Sequence, residues 1–573
     1  MIEVEDFFDI DNTGNPTKNP INRLAFSKED ILYKIKYIKA MQDLGMEVTI
    51  DKIGNICGTI PGKLFKDKSI ICGSHTDSVD NGGQFDGPLG VYAALKTAEN
   101  IINSGKENLV NYKAIIYASE ESTRFAGKAC LGSKYLRGDI TDFDSIKSRN
   151  NEPLSEILKE YKKELSAELE KNNCQPIKEV DKVIDQEEIV TALEGHIQQS
   201  DDLKKLGKQI GICTSITAPY RVKIDINDIK SAAKFICKLN RLAKKGKNLS
   251  KYRATACEFS IKHDIEPREL AGKVIICLRA NGKNNHSGAT AMNRRQDAVY
   301  GIAQFIENVS ENPDITFLEV STPNWGANQI NDCCEVKFAI TPNSPEDIIL
   351  NYWLGKNDAA KFADIIFEQI DNITEHDKES GLFIDIRQQI GMSPKDTSNM
   401  IFENMKDIMH KTGENTRMHV TAKGEPFQTS PDLVNAAEAI CKQKFLGSQI
   451  LQSWAGHDLA TLTNNPDART LLLFCPSTGG SHNPEETTSI DDVKNLTTVE
   501  STLAIQELER ANKLYLKETY SVLARKKDEL KTNPNLSTKK IQLKFINNKL
   551  DELSTLAKQH SIELNEQSKN IER

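Results

Sequence analysis

The chain has 573 residues, too many for one hydrophobic core, so two or more domains are expected. Its 38% hydrophobic and 27% charged residues fit a folded globular protein, and a net charge of -8 argues against a nucleic-acid binder, which would want a basic face. The 12 Cys lack a framework and several fall in apolar runs (Cys72, Cys277, Cys475), as in a cytoplasmic protein with reduced core thiols, and the chain offers neither an apolar h-region near Met1 nor an apolar run long enough for a membrane span.

Ser27-Lys28-Glu29-Asp30 reads as a helix start, with a Ser N-cap and acids in the first turn; the helix runs to Leu44-Gly45. Met46 to Ile50 and Ile56 to Ile60 read as strands around Gly54-Asn55. Ser69 to Cys72 is a short apolar strand of the kind buried on both faces of a parallel sheet. Gly87 to Ile102 reads as a helix, and Lys113 to Tyr117 as the next buried strand. This strand, helix, strand order is α/β architecture, with polar segments at the carboxyl ends of the strands. Ser155 to Lys171 is a charged amphipathic helix expected at the periphery, and Tyr220 to Ile226 alternates as a strand. Residues 227–280 and 332–382 are charged and read as irregular insertions in a second α+β domain. Pro431 to Phe445 reads as a helix and Leu471 to Cys475 as a buried strand. Residues 505–573 read as one or two helices of a solvated tail. No internal repeat is evident.

Five segments at strand ends or turns each offer a hard metal ligand: Gly73-Ser74-His75-Thr76-Asp77, Gly83-Gln84-Phe85-Asp86-Gly87, Ala118-Ser119-Glu120-Glu121-Ser122, Glu194-Gly195-His196-Ile197-Gln198-Gln199 and Gly480-Ser481-His482-Asn483-Pro484. Three His, one Asp and one Glu, with a spare Glu, is the ligand count of a two-metal hydrolytic centre with one bridging carboxylate. His75 and Asp77 share a face of an extended segment, so the Asp can orient the imidazole. Adjacent Glu120 and Glu121 repel unless cations are near; one can bind metal while the other serves as general base. Taken singly, each has a bland alternative: a loop pair for His75 and Asp77, a turn residue for Asp86, a surface loop for the two Glu, a satisfied core or edge residue for His196.

Taken in order, these strings resemble the amidase/hydantoinase/carbamoylase branch of the di-metal aminoacylase–carboxypeptidase superfamily, which includes N-carbamoyl-L-amino acid hydrolases, β-ureidopropionases and allantoate amidohydrolases. The likeness also takes in Asn22-Arg23-Leu24-Ala25-Phe26-Ser27, Asp51-Lys52-Ile53-Gly54-Asn55, Glu120-Glu121-Ser122-Thr123-Arg124-Phe125, His286-Ser287-Gly288-Ala289-Thr290, Arg295-Gln296-Asp297-Ala298, Ala455-Gly456-His457-Asp458 and Ser481-His482-Asn483-Pro484-Glu485-Glu486, across residues 20–505. It implies a di-metal aminopeptidase-like catalytic domain, a mixed sheet flanked by helices, with an inserted smaller α+β lid and dimerisation domain. The matching division is 1–212 and 429–505 for the catalytic domain, 213–428 for the lid with its extra insertions, and 506–573 for a charged helical extension.

The resemblance also implies roles. His75, Asp86 and His196 would hold one divalent ion, and Asp86, Glu121 and His482 the other, with zinc first and Mn, Co or Ni compatible. Asp77 would support His75, and Glu120 would act as general base on a water bridging the metals. His286 would donate to the oxyanion, reaching across from the partner of a homodimer formed through the smaller domain. Gln199, Asn328, Gly456 and His457 would contact substrate, and Arg387 in Asp385-Ile386-Arg387 would clamp its carboxylate. The implied activity is hydrolysis of a linear amide or carbamoyl C–N bond in an N-carbamoyl amino acid or related ureido acid, with a di-metal peptidase or aminoacylase as the alternative and a non-catalytic interaction protein as the third reading. No nucleic-acid or membrane partner is expected. Departures from the pattern are Gln198 and Ser200 after His196, Ala291 in Thr290-Ala291-Met292, Trp454 where a smaller residue is common, and Leu459; they bear on substrate identity.

Overall fold

A computed structural model describes residues 2–564 apart from 126–127, 186–187, 245–251, 264, 266, 271–272, 324–328, 341–363, 370–380, 389–392, 413–416 and 533–538. The strands in chain order are β1 (Glu47–Ile50), β2 (Ile56–Ile60), β3 (Phe65–His75), β4 (Val110–Tyr117), β5 (Lys178–Glu179), β6 (Glu188–Ile197), β7 (Ile210–Ile216), β8 (Ala218–Asp225), β9 (Tyr252–Lys262), β10 (Val274–Asn281), β11 (Asn285–His286), β12 (Ile315–Ser321), β13 (Gln329–Ile330), β14 (Cys333–Ile340), β15 (Asp364–Gln369), β16 (Gly381–Gln388), β17 (Arg417–Lys423), β18 (Phe427–Gln428), β19 (Ser448–Ser453) and β20 (Arg469–Cys475).

The first sheet has ten strands in the order β18-β7-β20-β6-β3-β4-β2-β1-β5, with β19 beside β7. Its centre, β20-β6-β3-β4, is parallel, and antiparallel strands flank it. Successive side chains point to opposite faces. Accordingly Ile70, Cys72, Tyr112, Ala114, Ile116, Leu471 and Leu473 join one apolar layer, while Ile71, Ile115, Tyr117, Leu472 and Phe474 join the other. Both faces are covered, which is why these strands read as unbroken apolar runs rather than alternating ones. Each fully buried Ile or Leu contributes roughly 1.5–3 kcal/mol of transfer free energy.

The first layer lies under helices Lys28–Asp43, Pro88–Asn103, Leu154–Lys171, Pro431–Gln443 and Ile490–Thr532. Ser27 caps the first of these by accepting from the Asp30 backbone N–H at 3.2 Å, and Gly45 beyond its end takes φ 76°. The Leu154–Lys171 helix, expected at the periphery, buries Leu154, Ile157, Leu158, Tyr161, Leu165 and Leu169 in that layer. Its charges lie on the outer face, apart from the buried Glu168.

The second sheet has eight strands in the order β15-β10-β14-β12-β9-β16-β8-β17, each pair antiparallel. Helices Ile229–Lys244, Ala298–Val309 and Pro394–Thr412 accompany it. The chain crosses between the sheets at Thr217 and at 424–426. Residues 227–280 are not irregular as expected: they supply a helix and strands β9 and β10, whose apolar residues enter the core of this second unit. Part of 332–382 lies outside the described residues, and the rest supplies β14, β15 and the first residues of β16.

The helix after Ile490 runs unbroken to Thr532, and a second spans Lys539–Gln559. The solvated tail expected there is instead packed. Leu516, Leu553, Leu556 and Ala557 enclose Leu109 of the first sheet's loops, and Leu530, Ile546 and Leu550 close the hairpin's far end. Among the described residues no helix is long and apolar enough to cross a membrane.

Candidate active site

The parallel strands bring the candidate ligands to one edge. His75 is the last residue of β3, Glu120 and Glu121 follow β4, and the loop after β20 carries His482. His196 is the penultimate residue of β6, paired with Phe474 just before Ile197 pairs with Cys475, so β6 is longer than its apolar core suggests. Asp86 precedes the Pro88–Asn103 helix. Gly87 between them takes φ 88°, and a Cβ there would come within 2.6 Å of His75 Nε2; only glycine lets the imidazole lie against the turn.

Two ligand triads result, His75–Asp86–His196 and Asp86–Glu121–His482, with the ligand atoms of each within 4.8 Å of one another and every residue buried. Asp86 belongs to both. Its Oδ1 lies 3.3 Å from His196 Nε2 and its Oδ2 3.6 Å from His482 Nε2, while Glu121 Oε1 is 3.3 Å from His482 Nε2. The Nδ1 atoms of His75 and His196 bond the carbonyls of Asp77 and Ile197 at 2.9 and 2.8 Å. Those bonds fix the Nδ1–H tautomer, so Nε2 of each ring keeps its lone pair toward Asp86.

The donor set fits two divalent ions. Burial, against the pull of Glu121 and Asp86, lowers the His75 pKa to about 4, so the ring is a neutral ligand at neutral pH. Burial also pulls His482 down, but Glu121 and Asp86 outweigh it and leave it raised. Burial followed by the charges of Glu121, Asp458, Asp77 and Asp86 holds the Glu120 carboxyl well above its usual range. Acids crowded in this way need compensating cations. His482 Nδ1 and Glu486 Oε1 are buried without a hydrogen-bond partner.

Asp77 lies beside His75, its Oδ1 3.7 Å from the imidazole Nδ1. Its backbone carbonyl holds the imidazole, while its carboxylate accepts from the backbone N–H groups of Glu120 and Glu121 at 3.1 and 3.0 Å. Asp77 thereby sets the loop that presents both glutamates, assisted by the left-handed Ser119 at φ 53°. Behind it the buried pair Lys34–Asp30, at 2.7 Å, ties the site to the first helix through Thr76 Oγ1, which donates to Asp30 Oδ1.

A cleft of 770 Å³ opens over these ligands, lined among others by Glu120, Gln199, His286, Arg387, Gly456 and His457. His286, on β11, reaches the cleft within this chain: its ring centroid is 4.7 Å from that of His482. Its Nδ1 accepts from the backbone N–H groups of Gly288 and Ala289 at 3.0 and 2.8 Å, so the ring proton sits on Nε2 and can be donated into the cleft. The His457 ring lies 4.6 Å from His196, and its Nε2 is 2.9 Å from Ser453 Oγ. Gln199 Nε2 approaches Asp86 at 3.3 Å and leaves its Oε1 unpaired. At Gly456 an added Cβ would meet nothing within 4 Å, so that glycine widens the cleft without being sterically required. Asn328 lies outside the described residues. Gln198, at a position where a charge is usual, turns away from the ligands and accepts from the Leu203 backbone N–H at 2.9 Å.

Sequence reasoning missed the group that positions Arg387. Asp385 accepts from Arg387 Nε at 2.8 Å, Arg221 Nε at 3.0 Å and Ser287 Oγ at 2.5 Å, so one buried carboxylate orients two guanidinium groups and the His286 loop. Arg221 also lines the cleft. The signal was weak because Arg221 and Asp385 sit in alternating strands, where charges read as solvent-facing.

The family model described as Peptidase family M20/M25/M40 matches residues 71–506. The chain is 23% identical over 481 residues to an N-carbamoyl-L-amino-acid amidohydrolase of Pseudomonas sp. (strain NS671), covering 84% of this chain and 91% of that protein. It is 22% identical over 474 residues to the allantoate amidohydrolase of Escherichia coli (strain K12), covering 82% and 89%. Among solved structures, an amidase of the hydantoinase/carbamoylase family from Burkholderia multivorans aligns with a TM-score of 0.50 at 18% identity, over 86% of this chain and 93% of that one, a likeness of fold.

Proposed function

The chain belongs to the peptidase family M20/M25/M40, and from that premise we propose that it is a metal-dependent amidohydrolase cleaving the carbamoyl C–N bond of an N-carbamoyl amino acid or related ureido acid. The observation that carries the reading is the pair of triads sharing Asp86, facing His286 and two arginines across one cleft. A ureido acid must be held at a carbonyl and at a carboxylate, and the cleft offers a distinct set of groups for each. The relatives named for N-carbamoyl amino acids and allantoate support that substrate class.

His75, His196, Asp86, Glu121 and His482 would hold two divalent ions, which when bound supply Lewis acidity toward a carbonyl oxygen and toward water. Glu120 accepts the proton of the attacking water and returns it to the leaving nitrogen. The Nε2–H of His286 donates to the carbonyl oxygen as negative charge develops there. Arg387, held through Nε by Asp385, presents the rest of its planar fork to the substrate carboxylate. Gln199 and His457 flank the reacting group.

The test is ammonia release by the metal-loaded protein on N-carbamoyl-β-alanine, N-carbamoyl-L-amino acids, allantoate and a dipeptide. The expected result is turnover of a ureido acid that falls about 10²–10⁴-fold in Glu120→Gln. Cleavage of the dipeptide without ammonia from any ureido acid would overturn the substrate class in favour of a peptidase.

A further inference from the structure

The second sheet is one topological unit used twice. The first copy is β8, helix Ile229–Lys244, β9, β16, helix Pro394–Thr412 and β17; the second, inserted between β9 and β16, is β10, helix Ala298–Val309, β12, β14 and β15. With the strands of each copy numbered 1 to 4 along the chain, the spatial order β17-β8-β16-β9 is 4-1-3-2, and so is β15-β10-β14-β12. The copies join through equivalent strands, β9 and β12, which run antiparallel with Val320 opposite Ile261 and Glu319 opposite Lys262. The equivalent helices, Ile229–Lys244 and Ala298–Val309, also pack together, tied by Arg241–Glu307 at 2.7 Å and Lys234–Glu311 at 3.0 Å. Like strand on like strand and like helix on like helix is the arrangement that a two-fold axis imposes on a pair of subunits. Here a single chain contains both halves.

The inserted copy carries the loop with His286, and that loop is docked on the catalytic unit of its own chain. Arg294 Nη1 reaches Asp201 Oδ1 at 2.9 Å and Asp202 Oδ1 at 2.8 Å. Lys283 Nζ donates to the Gly479 carbonyl at 3.3 Å, beside the His482 loop. Gly288 lies so close to the Trp454 carbonyl that a Cβ would collide with it. From the first copy, the Arg253 guanidinium stacks 4.1 Å over the Trp454 ring. Trp454, one of the departures from the resembling pattern, thus serves as the seat of the contact. At the outer edge of the doubled sheet, β17 exposes Arg417, His419 and Lys423, charges that oppose further strand pairing.

We propose that the chain completes its own active site: the inserted copy takes the place that a second subunit would fill, and His286 acts on substrate bound to the same chain. Two tests separate this from supply by a partner. The first needs no substrate. In Asp202→Cys/Arg294→Cys, a short bifunctional maleimide is expected to link the two new thiols within one chain, leaving the denatured mass of a monomer; eleven of the twelve native Cys are buried, so background is low. Linked pairs of chains would overturn the proposal. The second rests on the hydrolase reading. His286→Ala and Glu120→Gln, each down about 10²-fold or more, are co-expressed. Site completion in cis predicts no recovery. Recovery to about a quarter of wild-type activity, the yield of one intact site per mixed pair, would place His286 in a partner's site. If wild-type protein hydrolysed no ureido acid, the hydrolase reading would fall while the maleimide result would still decide the assembly.

Discussion

Glu500 offers the sharpest test of how the long helix meets the catalytic sheet. It is fully buried on Ile490–Thr532, and neither carboxylate oxygen has a hydrogen-bond partner. Its Oε2 lies 2.3 Å from where a Cβ on Gly195 would stand, so the glycine in β6 makes room for it. Burial, followed by the charge of Glu194, pushes its pKa from 4.5 to about 8. A raised carboxyl pKa means that the folded state binds a proton that the unfolded state releases. Stability is therefore full below pH 4.5 and falls as pH rises through the window to about 8. At about 1.4 kcal/mol per unit, the loss by pH 7 is about 3 kcal/mol. Glu500→Gln keeps the volume, stays neutral at every pH and removes that loss. The assay is calorimetric unfolding of wild type and variant from pH 4.5 to 8, following the transition of the unit that contains the first sheet. The variant should match wild type near pH 4.5 and be more stable by about 3 kcal/mol at pH 7. Curves that stay parallel across that range would mean that Glu500 is ionised and compensated in the fold, and the reasoning would fail.

Three further outcomes are expected. Gly87→Ala drives a Cβ into the His75 ring from a left-handed backbone, so bound metal measured by atomic emission should drop while the chain stays folded, at a cost of about 1–3 kcal/mol in stability. Arg387→Lys keeps the charge but loses the planar fork held by Asp385; steady-state kinetics should show KM raised by about tenfold with a much smaller change in kcat. Leu553→Ala opens a cavity where the terminal hairpin meets Leu109 and Leu516, and denaturant unfolding should report a loss of about 2–5 kcal/mol; a neutral result would mean that the hairpin does not hold the catalytic unit.

Much of the catalytic unit was legible because its constraints are local. A strand buried on both faces has to be an apolar run, and β3, β4 and β20 announce themselves that way. Few residue types bind a divalent ion, so His75, Asp86, Glu121, His196 and His482 stand out once their order along the chain is taken together. What was not legible depended on which surface a residue meets. The leucines after residue 505 look irregularly spaced because the helix faces the sheet through Leu496, Leu503 and Leu508, then turns Leu516 and Leu530 toward the returning helix. Gln198 looked like a change at the metal, yet its side chain caps a neighbouring turn.

The doubled second sheet escaped sequence reading for a deeper reason. Its two copies share strand order and pairing, but the strands that open them, Ala218–Asp225 and Val274–Asn281, share little residue by residue. Topology fixes which backbones pair and which faces are buried; it asks only for apolar residues at alternate positions, and many sequences meet that demand. The insertion of one copy inside the other also separates β9 from its neighbour β16 by more than a hundred residues, so no local window contains a whole unit. The expectation that a partner supplies His286 came with the family resemblance; the proposal that one chain supplies it rests on the doubled sheet. The motif identifies a histidine suited to donate a proton toward an oxyanion; only the fold decides whose active site that histidine enters.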